Sequence, residues 1–232
     1  MRNPYGNPAG FAQHIKDLQE AGLLDDKAVI TQDAYDAYQS LIDAQDAKAA
    51  TLTFMPDSDL QTVIDYLDCI DQAAAGLNTP IQQIIVAEKP CDTPAHRIYE
   101  LISHLRAFRD DAHVQAWQPL GISGHTYEMF SFVWNGEAPT VEKFLEVRST
   151  RGYDAEACEQ ALVLLAEKGW IEQGDDGYVV TQTGKQIRDE VEAQTDTFFF
   201  QAFDGLSDED LADFRRLLAE ITEKFALETE NA

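Results

Sequence analysis

Arg106, Arg109 and His113 recur at spacings of three and four, so a continuous helix would present them along one side. Two guanidinium groups and an imidazole so placed suit a carboxylate or phosphate on a small ligand, because the guanidinium fork donates bidentately. Trp117, Tyr127, Phe130 and Trp134 follow in the sequence and offer the walls of an apolar pocket for an anionic or aromatic molecule. The same residues also suit a plainer role, the arginines bonded to internal carboxylates or helix carbonyls and the aromatics in the core. His96, Glu100 and His104 stand at i, i+4 and i+8 and share one helical face. A metal could bridge neighbours there, but one helix rarely closes a coordination shell and no partner motif occurs elsewhere. The three read as a solvated polar face, and no metal site is assigned. No Gly-rich phosphate loop, nucleophile elbow, HExxH or paired-Cys motif occurs, so no catalytic residue and no cofactor are assigned and the chain reads as a non-enzyme.

A second group of polar residues takes its meaning from the elements around it. Between Asp154 and Gly169, Cys158, Ala161, Leu162 and Leu165 form one apolar stripe of a helix. Trp170-Ile171 opens a strand, and Gly174-Asp175-Asp176-Gly177 allows the positive φ angles of a tight hairpin. Tyr178 to Thr181 returns as a second strand, and a long helix opens at about Gln182. Helix, helix, strand, turn, strand, helix is the plan of a winged helix-turn-helix, with a generic α+β domain as the competing plan. In a winged helix the face opposite the stripe would enter the major groove. That face carries Glu156, Glu159, Gln160, Val163 and Glu167. Only Gln160 among them is of a type that commonly reads bases, and only Lys143, Arg148 and Arg151 just upstream suit phosphate contacts. DNA is therefore a candidate partner that the acidic recognition helix opposes.

The first half reads as helical throughout. Helices are expected around Phe11–Leu23, after Thr31, from Asp57 or Ser58 to Gly76, briefly after Pro80, from Pro94 to about Phe108, and from about Ser123 to Trp134. Asp110-Asp111 marks a kink or an end. Asn135-Gly136-Glu137-Ala138-Pro139 is the clearest punctuation, dividing a helical N-terminal domain (1–138) from a winged-helix domain (139–232) with terminal packing helices. The fold class expected is mainly α, with a short two-stranded wing.

Of 232 residues, 17 are Lys or Arg and 42 Asp or Glu, a net charge of −25. The long-range field repels nucleic acid and anionic membrane alike. Solubility, a high-salt cytoplasm or a basic partner would each explain it, and 24 Asp against 8 Lys leans towards salt. In molar salt the Debye length is about 3 Å, so the repulsion would be largely screened. No apolar run approaches the ~18 residues of a membrane span. The first residues lack the apolar region of a signal peptide, and Cys69, Cys91 and Cys158 read as reduced thiols, so a cytoplasmic location is expected.

Leu164-Leu165-Ala166-Glu167-Lys168-Gly169-Trp170-Ile171-Glu172, Val180-Thr181-Gln182-Thr183-Gly184-Lys185 and Leu206-Ser207-Asp208-Glu209-Asp210-Leu211 resemble the core of the MarR family of winged-helix regulators. Val180 stands where that family usually has Leu, and the wing is shortened to four residues at its tip. Leu105 to Ala116, Leu120 to Gly124 and Arg151 to Glu156 resemble the SalK-like helix-turn-helix family, over about residues 100 to 222. The resemblance implies a helical N-terminal region fused to a winged helix. It also implies a homodimer formed by the terminal helices, where Leu211, Phe214, Leu218, Ile221 and Phe225 recur on one side. The competing arrangement is a monomer in which the first 138 residues cover that side. Two functions fit: a ligand-responsive transcriptional regulator, or a winged-helix relic serving as an acidic binding module without DNA.

Overall fold

The computed structural model describes residues 4–51, 55–77, 79–85 and 93–230, with the backbone alone for 84–85 and 225–230. Among the described residues the helices are α1 (Pro8–Glu20), α2 (Gln32–Ala49), α3 (Asp57–Ala75), α4 (Gln82–Ile85), α5 (Pro94–Trp117), α6 (Gly124–Trp134), α7 (Val141–Val147), α8 (Ala155–Glu167), α9 (Gln182–Phe200) and α10 (Asp208–Glu230). Strands β1 (Ile171–Gly174) and β2 (Gly177–Val180) form one antiparallel hairpin in which Ile171 faces Val180 and Gly174 faces Gly177. The fold is mainly α with a two-stranded wing. No helix among the described residues is long and apolar enough to cross a membrane.

The contacts group the chain into two compact units that alternate along the sequence. One comprises Met1–Ala34 and His113–Asp196, the other Tyr35–Ala112 and Thr197–Ala232. The punctuation at 135–139 thus lies inside the first unit.

In the first unit, α6 packs on α8 and β2, and α7 on α8. The stripe expected on α8 is buried, Cys158, Ala161, Leu162 and Leu165 together with Phe130, Phe132, Phe144 and Ile171. Each helix start is capped by a side chain: Ser123 accepts from Thr126 N–H, Thr140 from Lys143 N–H and Asp154 from Ala157 N–H. Thr181 does two things at the opening of α9. Its hydroxyl donates to the Gly169 carbonyl at 2.6 Å and accepts from Gly184 N–H at 3.0 Å. A Cβ on Gly184 would come within 2.1 Å of the Trp170 carbonyl oxygen, so Thr-x-x-Gly here ties the helix start to the wing at a distance only glycine permits. The wing turn differs from the expectation: Gly177 alone takes a positive φ, +127°. Beside it, Tyr178 N–H bonds the Pro139 carbonyl at 2.9 Å, which holds the turn against that loop.

In the second unit, Leu60, Val63, Ile64, Leu67 and Ile70 of α3 form a core with Ile98, Leu101 and Phe108 of α5 and Phe214 and Leu217 of α10. The buried stripe of α10 therefore centres on Phe214 and Leu217, with Leu218 and Ile221 at its margin, and α3 covers part of the side expected at a dimer interface. The Phe225 side chain lies outside the described residues. Ser207 and Asp210 cap each other's backbone N–H, a reciprocal box that opens α10. Asp110-Asp111 does not break α5: Asp111 turns inward and accepts the N–H groups of Ile81 and Gln82 at 2.9 Å.

Candidate functional site

The face of α8 opposite its stripe is open. Glu156, Glu159, Gln160, Val163 and Glu167 are all exposed there. Each of the four residues selected for DNA contact is engaged with a carboxylate. Lys143 Nζ lies 2.8 Å from Glu146, and Gln160 Nε2 donates to Glu156 at 3.2 Å. Arg151 donates through Nε at 3.1 Å and Nη2 at 2.7 Å to the carboxylate of Glu128. Arg148 Nε stands 3.4 Å from the same carboxylate, with its guanidinium 4.6 Å from the centre of the Phe132 ring.

Glu128 is the residue that sequence reading missed. It is 7% exposed, inside a helix whose residues 124 to 130 are all buried. A carboxylate so placed needs a cation, and two arginines from the turn between α7 and α8 supply it. The signal was available: Glu128 is the only charged residue from Gly121 to Asn135. Next to it, His125 stacks on Tyr153 with ring centres 3.6 Å apart and meets Phe144 edge-on. Burial holds the His125 imidazole below its ordinary range, and burial, then the Glu128 charge, raises the Tyr153 phenol. Burial and then Asp154 push the Cys158 thiol up to about 11, which leaves it a packing residue rather than a nucleophile.

The residues selected for a ligand separate. Arg106 and Arg109 belong to the second unit, where both are exposed. His113, Trp117, Tyr127 and Trp134 come together in the first around an arginine the sequence reading did not single out. Arg188, 6% exposed, donates to the Tyr127 hydroxyl and to Glu192 at 2.8 Å. Its guanidinium lies 4.8 Å from the Trp134 ring centre and 5.3 Å from that of Tyr127. Trp117 stacks on Tyr127 at 5.2 Å, and His113 meets Tyr127 edge-on while bonding Thr195 at 3.0 Å. Tyr127 and Trp117 are buried against one another, so Trp134, 40% exposed, is the member that offers surface. It lines a groove of about 540 Å³ with Asn135, Asp175, Asp176, Tyr178 and Lys185. A second groove, about 700 Å³, runs between residues 4–17 and 149–153.

His96 and His104 correct the expectation of a solvated face. Both are buried, and each ring meets a carboxylate from another helix, His96 with Asp46 at 2.5 Å and His104 with Asp71 at 3.3 Å. Glu100 pairs instead with Arg97 at 2.5 Å.

Residues 80–230, more than half of the chain, match a family described as a helix-turn-helix family. No curated protein matches the sequence. Among solved structures, the oxidized form of MarR from E. coli is similar at 20% identity and a TM-score of 0.37, over 54% of this chain and 93% of that one. At that score the likeness adds nothing to the assignment, which rests on the family match.

Proposed function

Because the chain belongs to a helix-turn-helix family, we propose that it is a non-enzymatic, MarR-related and SalK-like winged-helix transcriptional regulator. The observation that carries this reading is the order α6, α7, α8, β1, β2, α9 with the outer face of α8 left uncovered by the core. In this reading α8 enters the major groove, Gln160 meets base edges, and Lys143, Arg148 and Arg151 flank the phosphates. Residues 1–138 would supply a sensor and 139–232 the reader of DNA. The sensor takes an anionic or aromatic molecule beside Trp134, in the groove that it lines with Tyr178 and Lys185. The protein works in the cytoplasm as a homodimer assembled through its terminal helices.

Binding of fragments from upstream of its own gene, measured from about 50 mM to molar salt, tests the reading. A regulator gives sequence-specific binding that weakens steeply as salt rises. Absence of binding across the whole range would favour a second reading, an acidic binding module that has lost DNA. That alternative draws on one observation: Lys143, Arg148, Arg151 and Gln160 are each engaged by a carboxylate.

A further inference from the structure

None of the residues of α1 is buried, and Phe11 on it is 57% exposed. The segment leading into the helix is nevertheless fastened at several points to its own unit. The Pro4 carbonyl lies so close over Gly124 that a Cβ there would come within 1.9 Å of the oxygen. The Tyr5 hydroxyl accepts from Trp117 Nε1 at 3.0 Å, and the Arg151 guanidinium stands 5.7 Å from the centre of the Tyr5 ring. Asn7 N–H donates to the Arg151 carbonyl at 3.0 Å, and Asn7 Nδ2 to the Gly152 carbonyl at 2.8 Å. One turn later Gly10 meets Gly152 backbone to backbone: a Cβ on Gly10 would stand 3.1 Å from the Gly152 Cα. Two facing glycines let α1 approach the turn this closely, and Gly152 also takes a φ of +72°.

Residues 149–153 are the turn between the two helices of the helix-turn-helix, directly before the N-terminus of α8. In that motif the first residues of the second helix reach base edges while the first helix crosses the backbone, and helix N-termini sit against phosphates. The segment latched to this turn continues into a helix of 13 residues, a rod of about 20 Å at the usual rise. It carries Asp17 and Glu20 against Lys16, so it brings no net positive charge to draw a phosphate strand.

We propose that Pro4–Glu20 is a cover on the helix-turn-helix turn, and that a duplex seats on α8 only once this cover lifts. The inference rests on reading the chain as a DNA-binding protein. The latch suits the role: a few hydrogen bonds, from Asn7 and to the Tyr5 hydroxyl, and two facing glycines hold it, and no side chain of α1 is buried, so it opens locally rather than with the core.

The test uses the full chain, a labelled duplex of about 25 base pairs, and amide exchange over residues 149–157. Gly10→Leu forces a side chain into the 3.1 Å contact with Gly152; Asn7→Ala removes the Nδ2 bond without adding bulk. Both variants should exchange faster over the turn and bind the duplex about ten-fold tighter than wild type, the shift expected from losing one or two hydrogen bonds of the closed state. If Gly10→Leu fails to fold, Asn7→Ala decides. Equal binding by wild type and variants overturns the cover and leaves the regulator reading standing. Failure of every protein to bind, at any salt, overturns both.

Discussion

Replacing Glu128 with glutamine separates the two readings of the arginine turn. The carboxylate is buried and accepts the fork of Arg151 at 2.7 and 3.1 Å, with Arg148 Nε at 3.4 Å. Removing one partner of a fully buried pair costs about 3–5 kcal/mol. Here both arginines keep a solvated edge and glutamine retains a carbonyl acceptor, so the loss should approach that of charge-assisted hydrogen bonds, about 1.5–3 kcal/mol. For a chain of this size each kcal/mol lowers Tm by about 2–4 °C, which puts Glu128→Gln roughly 3 to 12 °C below wild type. The same change frees two guanidinium groups beside the N-terminus of α8. Each new phosphate contact steepens the dependence of log K on log salt by about 0.9, so the slope should grow by up to about 2. Thermal unfolding and salt-titrated duplex binding read the two effects separately. An unchanged Tm would mean that Glu128 does not hold the turn, and the electrostatic account of this site would be wrong. A lower Tm with an unchanged salt slope would mean that the turn does not face a duplex.

His125, buried and stacked on Tyr153, should make stability depend on pH. Its folded pKa lies below the unfolded value, so the unfolded chain takes up the proton first. Stability is then full above about pH 6.5 and falls as pH drops below it, and His125→Phe should flatten that limb of the urea-midpoint profile. Gly184→Ala, with a Cβ 2.1 Å from the Trp170 carbonyl, should cost about 2 kcal/mol or more and lower the near-ultraviolet signal of Trp170; wild-type stability would refute the close approach. Arg188→Met should lose about 2–4 kcal/mol and alter the emission of Trp134; an unchanged spectrum would refute the contact between them.

What was legible in the sequence was local. The stripe on α8, the helix starts near Ser123 and Asp154, and the Thr181–Gly184 and Ser207–Asp210 starts all depend on residues within a few positions of one another. What stayed hidden was the distant partner of each buried charge. His104 looked solvated because Asp71 is 33 residues away, and Asp110-Asp111 looked like a break because Asp111 serves backbone 30 residues upstream. Arg188 was overlooked for the same reason, since Tyr127 lies 61 positions from it. The alternating units follow likewise from long-range packing: α10 completes a core begun by α3, which no periodicity within either helix announces.

Acidity acts on this molecule at two ranges, and salt distinguishes them. The net charge of −25 repels a duplex through a field that fades over the Debye length, about 10 Å at 0.1 M and 3 Å at 1 M. The Glu128–Arg151 bond at 2.7 Å is a direct contact to a buried carboxylate, with no room for an ion between the partners, so salt weakens it far less. A high-salt cytoplasm would therefore lift the first obstacle to DNA and leave the second. Freeing the arginines takes a change of structure at the turn. The segment latched to that turn is bonded to the carbonyls of Arg151 and Gly152, so its release and the release of Arg151 act on the same five residues.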